Sequence, residues 1–124
     1  AFGYMQSESV ACNLQFDLQT SGKLIFSCFN IKDQADYITD ADENNIIIIF
    51  SESGTYFDRI FPRAKPFKSN KKKPKICMIT SDQSIEYPFI DFYIRYNSKG
   101  GYASHPYPLQ LISDLICIKY SETL

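Results

Sequence analysis

The stretch Asn44-Asn45-Ile46-Ile47-Ile48-Ile49-Phe50-Ser51-Glu52-Ser53-Gly54 contains the longest apolar run of the chain, Ile46–Phe50. That run is far shorter than the roughly 20 residues needed to span a membrane as a helix. Its β-branched residues favour an extended backbone. It is apolar throughout instead of alternating, so it reads as a central strand buried on both faces. Asn44-Asn45 turns the chain into the run, and Ser51–Gly54 turns it out again.

Toward the C-terminus, Thr55–Phe61 alternates well enough for a second strand, closed by Pro62. Arg63–Lys75 is a basic loop containing Pro66 and Pro74, and Ile76–Thr80 is a third strand that carries Cys77. After a turn at Ser81–Ser84, Phe89–Tyr96 is a strand, Asn97–Gly101 a glycine-containing hairpin turn and Tyr102–His105 the return. Leu115–Tyr120 is a last strand. Toward the N-terminus, Asp33–Asn45 is an acidic loop, and Ser21–Lys32 is the one convincing helix, with Leu24, Ile25, Cys28 and Phe29 at helical spacing. Gly22 weakens that helix slightly. Ala1–Val10 is an arm that becomes a short strand near Val10, and Cys12–Phe16 continues extended. One early helix followed by strands gives an α+β class, with the helix packed across an antiparallel sheet of about four to five strands.

The 124 residues suit one domain, 1–124. Hydrophobic residues make up 44%, enough for a core, and the net charge of −1 gives no global attraction to nucleic acid, so a basic site must be local. The four cysteines, Cys12, Cys28, Cys77 and Cys117, are even in number and form no C-x-x-C pair. Two disulfides are the simplest reading, and they imply an oxidising compartment and a secreted protein. Three pairings are open; Cys12–Cys117 with Cys28–Cys77 is preferred. A single histidine, His105, is too few for a Cys/His metal cluster, and no cofactor is expected.

The order of elements resembles the small ribonucleases of the RNase T1 type. The resemblance rests on Asp91-Phe-Tyr-Ile-Arg-Tyr-Asn97, Gly100-Gly-Tyr-Ala-Ser-His105 and Cys117, with Ile49-Phe50-Ser51 and Tyr56-Phe57-Asp58 as a second stretch. The start, Val10-Ala11-Cys12, is similar to that of the ribonuclease-like secreted effectors of powdery mildew fungi. The resemblance implies an early–late disulfide, Cys12 to Cys117. It also matches His105 to the family's general acid and Asp58 to its base, one methylene short. Phe92 stands where a phosphate-binding Arg is expected, Thr39 or Asp40 where a second His is expected, and Ile46 and Ile47 replace the guanine-binding residues. Losing one preorganised donor costs about two to three orders of magnitude in rate, so the resemblance implies a pseudoenzyme in which Asp58 and His105 are remnants.

Lys65, Lys68, Lys71, Lys72, Lys73 and Lys75 surround Phe67, a mixture suited to phosphate contact and base stacking, or to a solvated loop. Tyr93 and Tyr102 are candidates for a partner interface. The expectation is therefore a secreted, monomeric effector without a membrane segment. It would be translocated into a plant cell, bind a host protein or weakly bind RNA, and be recognised by an intracellular NLR-type immune receptor. Two alternatives stand beside it, a residual ribonuclease and an unrelated secreted β-rich binding module.

Overall fold

In the computed structural model, which describes residues 1–4, 6–62, 67, 72–97 and 107–123, strands and helices alternate along much of the chain. The elements are β1 (Phe2–Gly3), α1 (Gln6–Thr20), α2 (Ile31–Asp40), β2 (Ile46–Phe50), α3 (Tyr56–Ile60), β3 (Lys75–Thr80), β4 (Phe92–Arg95) and α4 (Tyr107–Glu122). The four strands form one sheet in the order β1-β2-β3-β4, and every pairing is parallel. Ile46 faces Lys75 and Phe50 faces Ile79 across β2 and β3, while Phe2 faces Ile49. The antiparallel, T1-like sheet expected from the sequence is thereby corrected.

Helices cover both faces of this sheet. Phe2, Ile47, Ile49, Ile76 and Met78 pack with Ile38 of α2 and with Tyr56, Phe57 and Ile60 of α3. Phe50 and Ile79 pack on the other face with Val10, Ala11, Leu14 and Leu18 of α1 and Leu109 of α4. Burying each Ile or Phe contributes about 1.5–3 kcal/mol, so β2 and β3 carry much of the core. Lys75 opens β3, and the neighbouring Asp91 holds that end: its Oδ2 accepts from the Ile76 backbone N–H at 2.9 Å and from Lys73 Nζ at 2.6 Å. The Lys73 hydrogen bond, first, and the Ile76 amide keep the Asp91 carboxyl below its ordinary value.

The helices form where the sequence reading placed strands or loops. In α1, Ser7, Val10, Ala11, Leu14 and Leu18 lie on one buried stripe. The helix ends at Gly22, whose φ is 85°. There Gly22 N–H donates to Gln19 O and Lys23 N–H to Leu18 O, both at 3.0 Å. That is a Schellman motif, and a glycine adopts its left-handed residue at little cost. Gly22 is thus a stop signal, and residues 21–30 are turn and coil instead of the expected Ser21–Lys32 helix. Leu24 and Phe29, expected on its apolar face, are exposed. The loop expected at 33–45 begins as α2, with Asn30 as N-cap: its side chain accepts from Lys32 N–H at 2.8 Å and Asp33 N–H at 3.2 Å. The Thr55–Phe61 strand is the short helix α3, and the Leu115–Tyr120 strand lies inside α4. The Asn97–Gly101 turn falls mostly, and the Tyr102–His105 return wholly, outside the described residues.

The expected disulfides are also corrected, since Cys12, Cys28, Cys77 and Cys117 are all free thiols. Cys28 and Cys77 pack against clusters on opposite faces of the sheet, so the sheet itself separates them. On α1, Cys12 and Gln15 share the flank that meets Ser27, whereas Asn13 bonds across to Gln110 of α4. Cys12 therefore points away from the helix that carries Cys117. The cysteine argument for an oxidising compartment falls with the bridges. All four thiols are expected to react with a thiol reagent in denaturant without prior reduction, and reductant should leave the melting temperature unchanged. A melting temperature several degrees lower in reductant would contradict the free-thiol structure.

Candidate functional site

In a parallel sheet every strand ends at the same edge, and ligands of open sheets with helices on both faces bind outside those carboxyl ends where strand order reverses; the order β1-β2-β3-β4 has no reversal, so the lining of that edge decides here. Here that edge carries a cleft of about 170 Å³, lined by Tyr4, Ser7, Phe50, Ser51, Glu52, Ser53, Tyr56 and Arg59. Two connections build it: the step from β1 into α1, and residues 51–55 between β2 and α3.

The first connection is tight. A Cβ on Gly3 would lie 2.6 Å from the backbone C and O of Ser7, so only glycine lets β1 run this close to the first turn of α1. The N-terminus of a 15-residue helix, with its partial positive charge, is thereby brought to the cleft. In the second connection, Gly54 has φ 76° and donates its N–H to Ser51 O at 3.1 Å. A Cβ there would also meet Ile85 Cδ1 at 2.9 Å. Ser51 Oγ accepts from Tyr56 N–H at 3.2 Å, and the Ser53 and Thr55 hydroxyls lie 2.7 Å apart.

The loop is latched from both sides. Glu52 O accepts from Ser81 N–H at 3.0 Å, Thr80 Oγ1 at 2.9 Å and Ser81 Oγ at 2.8 Å, which ties it to the end of β3. Beneath it, the Tyr56 hydroxyl donates to buried Gln34 Oε1 at 2.6 Å, and Gln34 Nε2 donates to Cys28 O at 2.8 Å. Burial pushes the Tyr56 phenol well above its ordinary value, so it is a fixed neutral donor. Arg59 is the cation among the described lining residues. Its Nε donates to Thr55 Oγ1 at 3.0 Å, and its guanidinium lies 5.2 Å from the Tyr4 ring centroid. The cleft thus presents hydroxyls, a helix N-terminus and a guanidinium, with Glu52 also in its lining.

Most residues singled out from the sequence lie elsewhere. Asp58 is on the exposed side of α3, where the Tyr87 hydroxyl donates to its Oδ2 at 3.0 Å. Burial, then Asp58, pushes the Tyr87 phenol up to about 12. His105, Tyr102, Lys65, Lys68 and Lys71 lie outside the described residues. Lys72 pairs with Glu43 at 3.3 Å, and Lys73 and Lys75 pair with Asp91 at 2.6 and 4.0 Å, so each of these described lysines has an acidic partner. Phe67 packs on Phe89 with ring centroids 5.5 Å apart. The Tyr93 hydroxyl accepts from Tyr87 N–H at 2.6 Å, and its ring lies 4.3 Å from the Arg95 guanidinium. None of these described residues lines the cleft. Among the described residues no group of three or more His, Cys, Asp or Glu is placed to hold a metal ion, and no helix is long and apolar enough to cross a membrane.

The sequence reading treated Ser51–Gly54 as a plain turn. Serines alternating up to a glycine, directly after a strand buried on both faces, were the signal that it is more. A second, larger cavity of about 630 Å³ lies at the other end of the sheet, beside the start of β2, with Leu24, Phe26, Tyr37 and Ile46 in its mainly apolar wall. Its described lining includes Lys23 and Asp40 but none of the serine hydroxyls that converge in the first.

Gly54→Ala is expected to cost about 1–2 kcal/mol from the left-handed backbone alone, with the Ile85 contact adding to it. Urea denaturation measures this, and an unchanged midpoint would show that the loop does not need that conformation. Compared with protein-family models the chain matches none, and no curated protein matches it.

Proposed function

We propose that this chain is a binding domain for a small phosphorylated polyol, of sugar-phosphate size, held at the carboxyl edge of the parallel sheet. One observation carries the reading: the cleft gathers Ser7, Ser51, Ser53 and Arg59 around the N-terminus of α1. A phosphoryl group needs N–H and O–H donors with a neighbouring positive charge, and helix N-termini supply both orientation and field. Arg59, held by Thr55 and Tyr4, is pre-positioned for a charge-assisted hydrogen bond.

The other lining groups narrow the class. The Tyr4 and serine hydroxyls of the lining both donate and accept, so they also suit ligand hydroxyls, which a polyol supplies and inorganic phosphate does not. At about 170 Å³ the cleft is smaller than ordinary drug-sized pockets of about 300–1,000 Å³, which favours a phosphoryl group with a short carbon chain over a nucleotide. The reading is one of binding, because the described lining offers hydroxyl donors and a cation suited to hold a phosphoryl group. The plant-pathogen effector reading rested on the nuclease resemblance, and the parallel sheet removes that support.

The test is a titration of the chain with hexose and pentose phosphates, their unphosphorylated sugars and inorganic phosphate, followed by calorimetry and amide chemical shifts. Saturable binding of a sugar phosphate is expected, with shifts centred on residues 51–59 and markedly weaker binding of the free sugar. Arg59→Ala should weaken it by about 1.5–3 kcal/mol, roughly ten- to a hundredfold. Absence of shifts around residues 51–59 with every phosphorylated compound at millimolar concentration would refute the proposal.

A further inference from the structure

The helix α4 is apolar on two opposite stripes. One stripe faces the sheet: Leu109 and Ser113 are buried, with Ile112, Ile116 and Tyr120 packed against the same core. The other faces outward. Tyr107, Leu111, Leu115 and Ile118 are 71%, 61%, 52% and 52% exposed, and their spacing of four, four and three residues keeps them in line. Phe16 of α1, 63% exposed, widens this apolar face, since α1 lies against α4 through the Asn13 Nδ2 bond to Gln110 Oε1 at 2.9 Å. An apolar row of this kind on a surface helix marks an interaction site.

The charges beside the row select its partner. With Leu111 and Ile118 at d positions of a heptad and Leu115 at a, Asp114 occupies g and Lys119 occupies e. In a parallel helix pair the g residue of one helix meets the e residue of the other five positions on. Asp114 then faces Lys119 of a second copy, and the two-fold axis repeats the pair. In an antiparallel two-fold each flank meets its own counterpart, and Asp114 finds no lysine. Glu122, at the next a position, ends the row and bonds to Lys119 of its own helix at 3.3 Å.

We propose that the outer stripe of α4 is the interface of a parallel homodimer, with Leu111, Leu115 and Ile118 at its centre and reciprocal Asp114–Lys119 pairs at its rim. This replaces the monomer expected from the sequence. It is independent of the ligand reading, because α4 lends no residue to the cleft.

Sedimentation velocity from micromolar to several hundred micromolar protein tests it. The expected result is a reversible species of twice the 14.3 kDa chain mass. Leu115→Lys should raise the dissociation constant at least about thirtyfold, as loss of a central anchor does, with the helical circular dichroism unchanged because the residue is on the outer face. Asp114→Lys and Lys119→Asp should each weaken the dimer, and the double variant Asp114→Lys/Lys119→Asp should restore it. A monomer throughout, a dimer indifferent to Leu115→Lys, or a double variant no tighter than the single ones would overturn the proposal.

Discussion

The parallel pairing of β2 between β1 and β3 is the constraint on which the rest depends. Ile46–Phe50 is bonded along its length to β3, and from Ile47 to Phe50 its residues alternate between the two helical layers. A strand so placed needs apolar side chains on both faces, which the run of isoleucines supplies. Parallel neighbours cannot be joined by a tight hairpin, so the chain must cross over between strands. The crossovers bring α1 to one face and α2 and α3 to the other, and residues 81–91 carry Ile85, Tyr87, Phe89 and Ile90 across to β4. Parallel pairing also sets polarity: the connections that leave the ends of β1 and β2 meet at one edge, and the hydroxyl-lined cleft lies there.

Glycines act where the chain makes its sharpest demands. Gly3 permits the close approach of β1 to α1, and Gly54 shapes the loop that follows β2. The loop is then fixed by hydrogen bonds from β3, through Thr80 and Ser81 to the carbonyl of Glu52. This links core and site energetically. The same pairing that buries Ile79 beside Phe50 carries Thr80 and Ser81 to the loop, so the cleft is held by the sheet and not by the loop alone.

Much of this was legible in the sequence, but not its assembly. The run at 46–50 reads as a central strand, and the expected Ile76–Thr80 strand differs from β3 by one residue. An apolar, non-alternating strand points to parallel neighbours, but the segments around it hide the crossovers that parallel pairing needs. Val10, Ala11, Leu14 and Leu18 follow helical spacing, yet the polar residues between them and the aromatic arm before them suggested an extended chain. On the sequence alone Gly22 weakens a helix that begins there, whereas its left-handed backbone ends the one before. In α4, apolar residues on two opposite stripes leave almost no polar face, so Leu115–Tyr120 imitates a buried strand. Without α1, α2, α3 and α4, strands follow one another with only turns and loops between them, and antiparallel pairing is the simplest arrangement. The cleft was hidden for the same reason: a serine-rich turn is unremarkable between antiparallel strands, and becomes a site only at the carboxyl edge of parallel ones. The cysteine pairing failed because sequence spacing carries no information about which face of a sheet each thiol occupies.

The most direct test of the account is the pattern of interstrand backbone contacts, read by nuclear Overhauser effects in the isotopically labelled protein. The account requires contacts in the staggered parallel pattern between Ile48 and Cys77 and between Cys77 and Phe92. Close Hα–Hα pairs across these strands, the mark of antiparallel neighbours, would contradict it and with it the placement of the cleft.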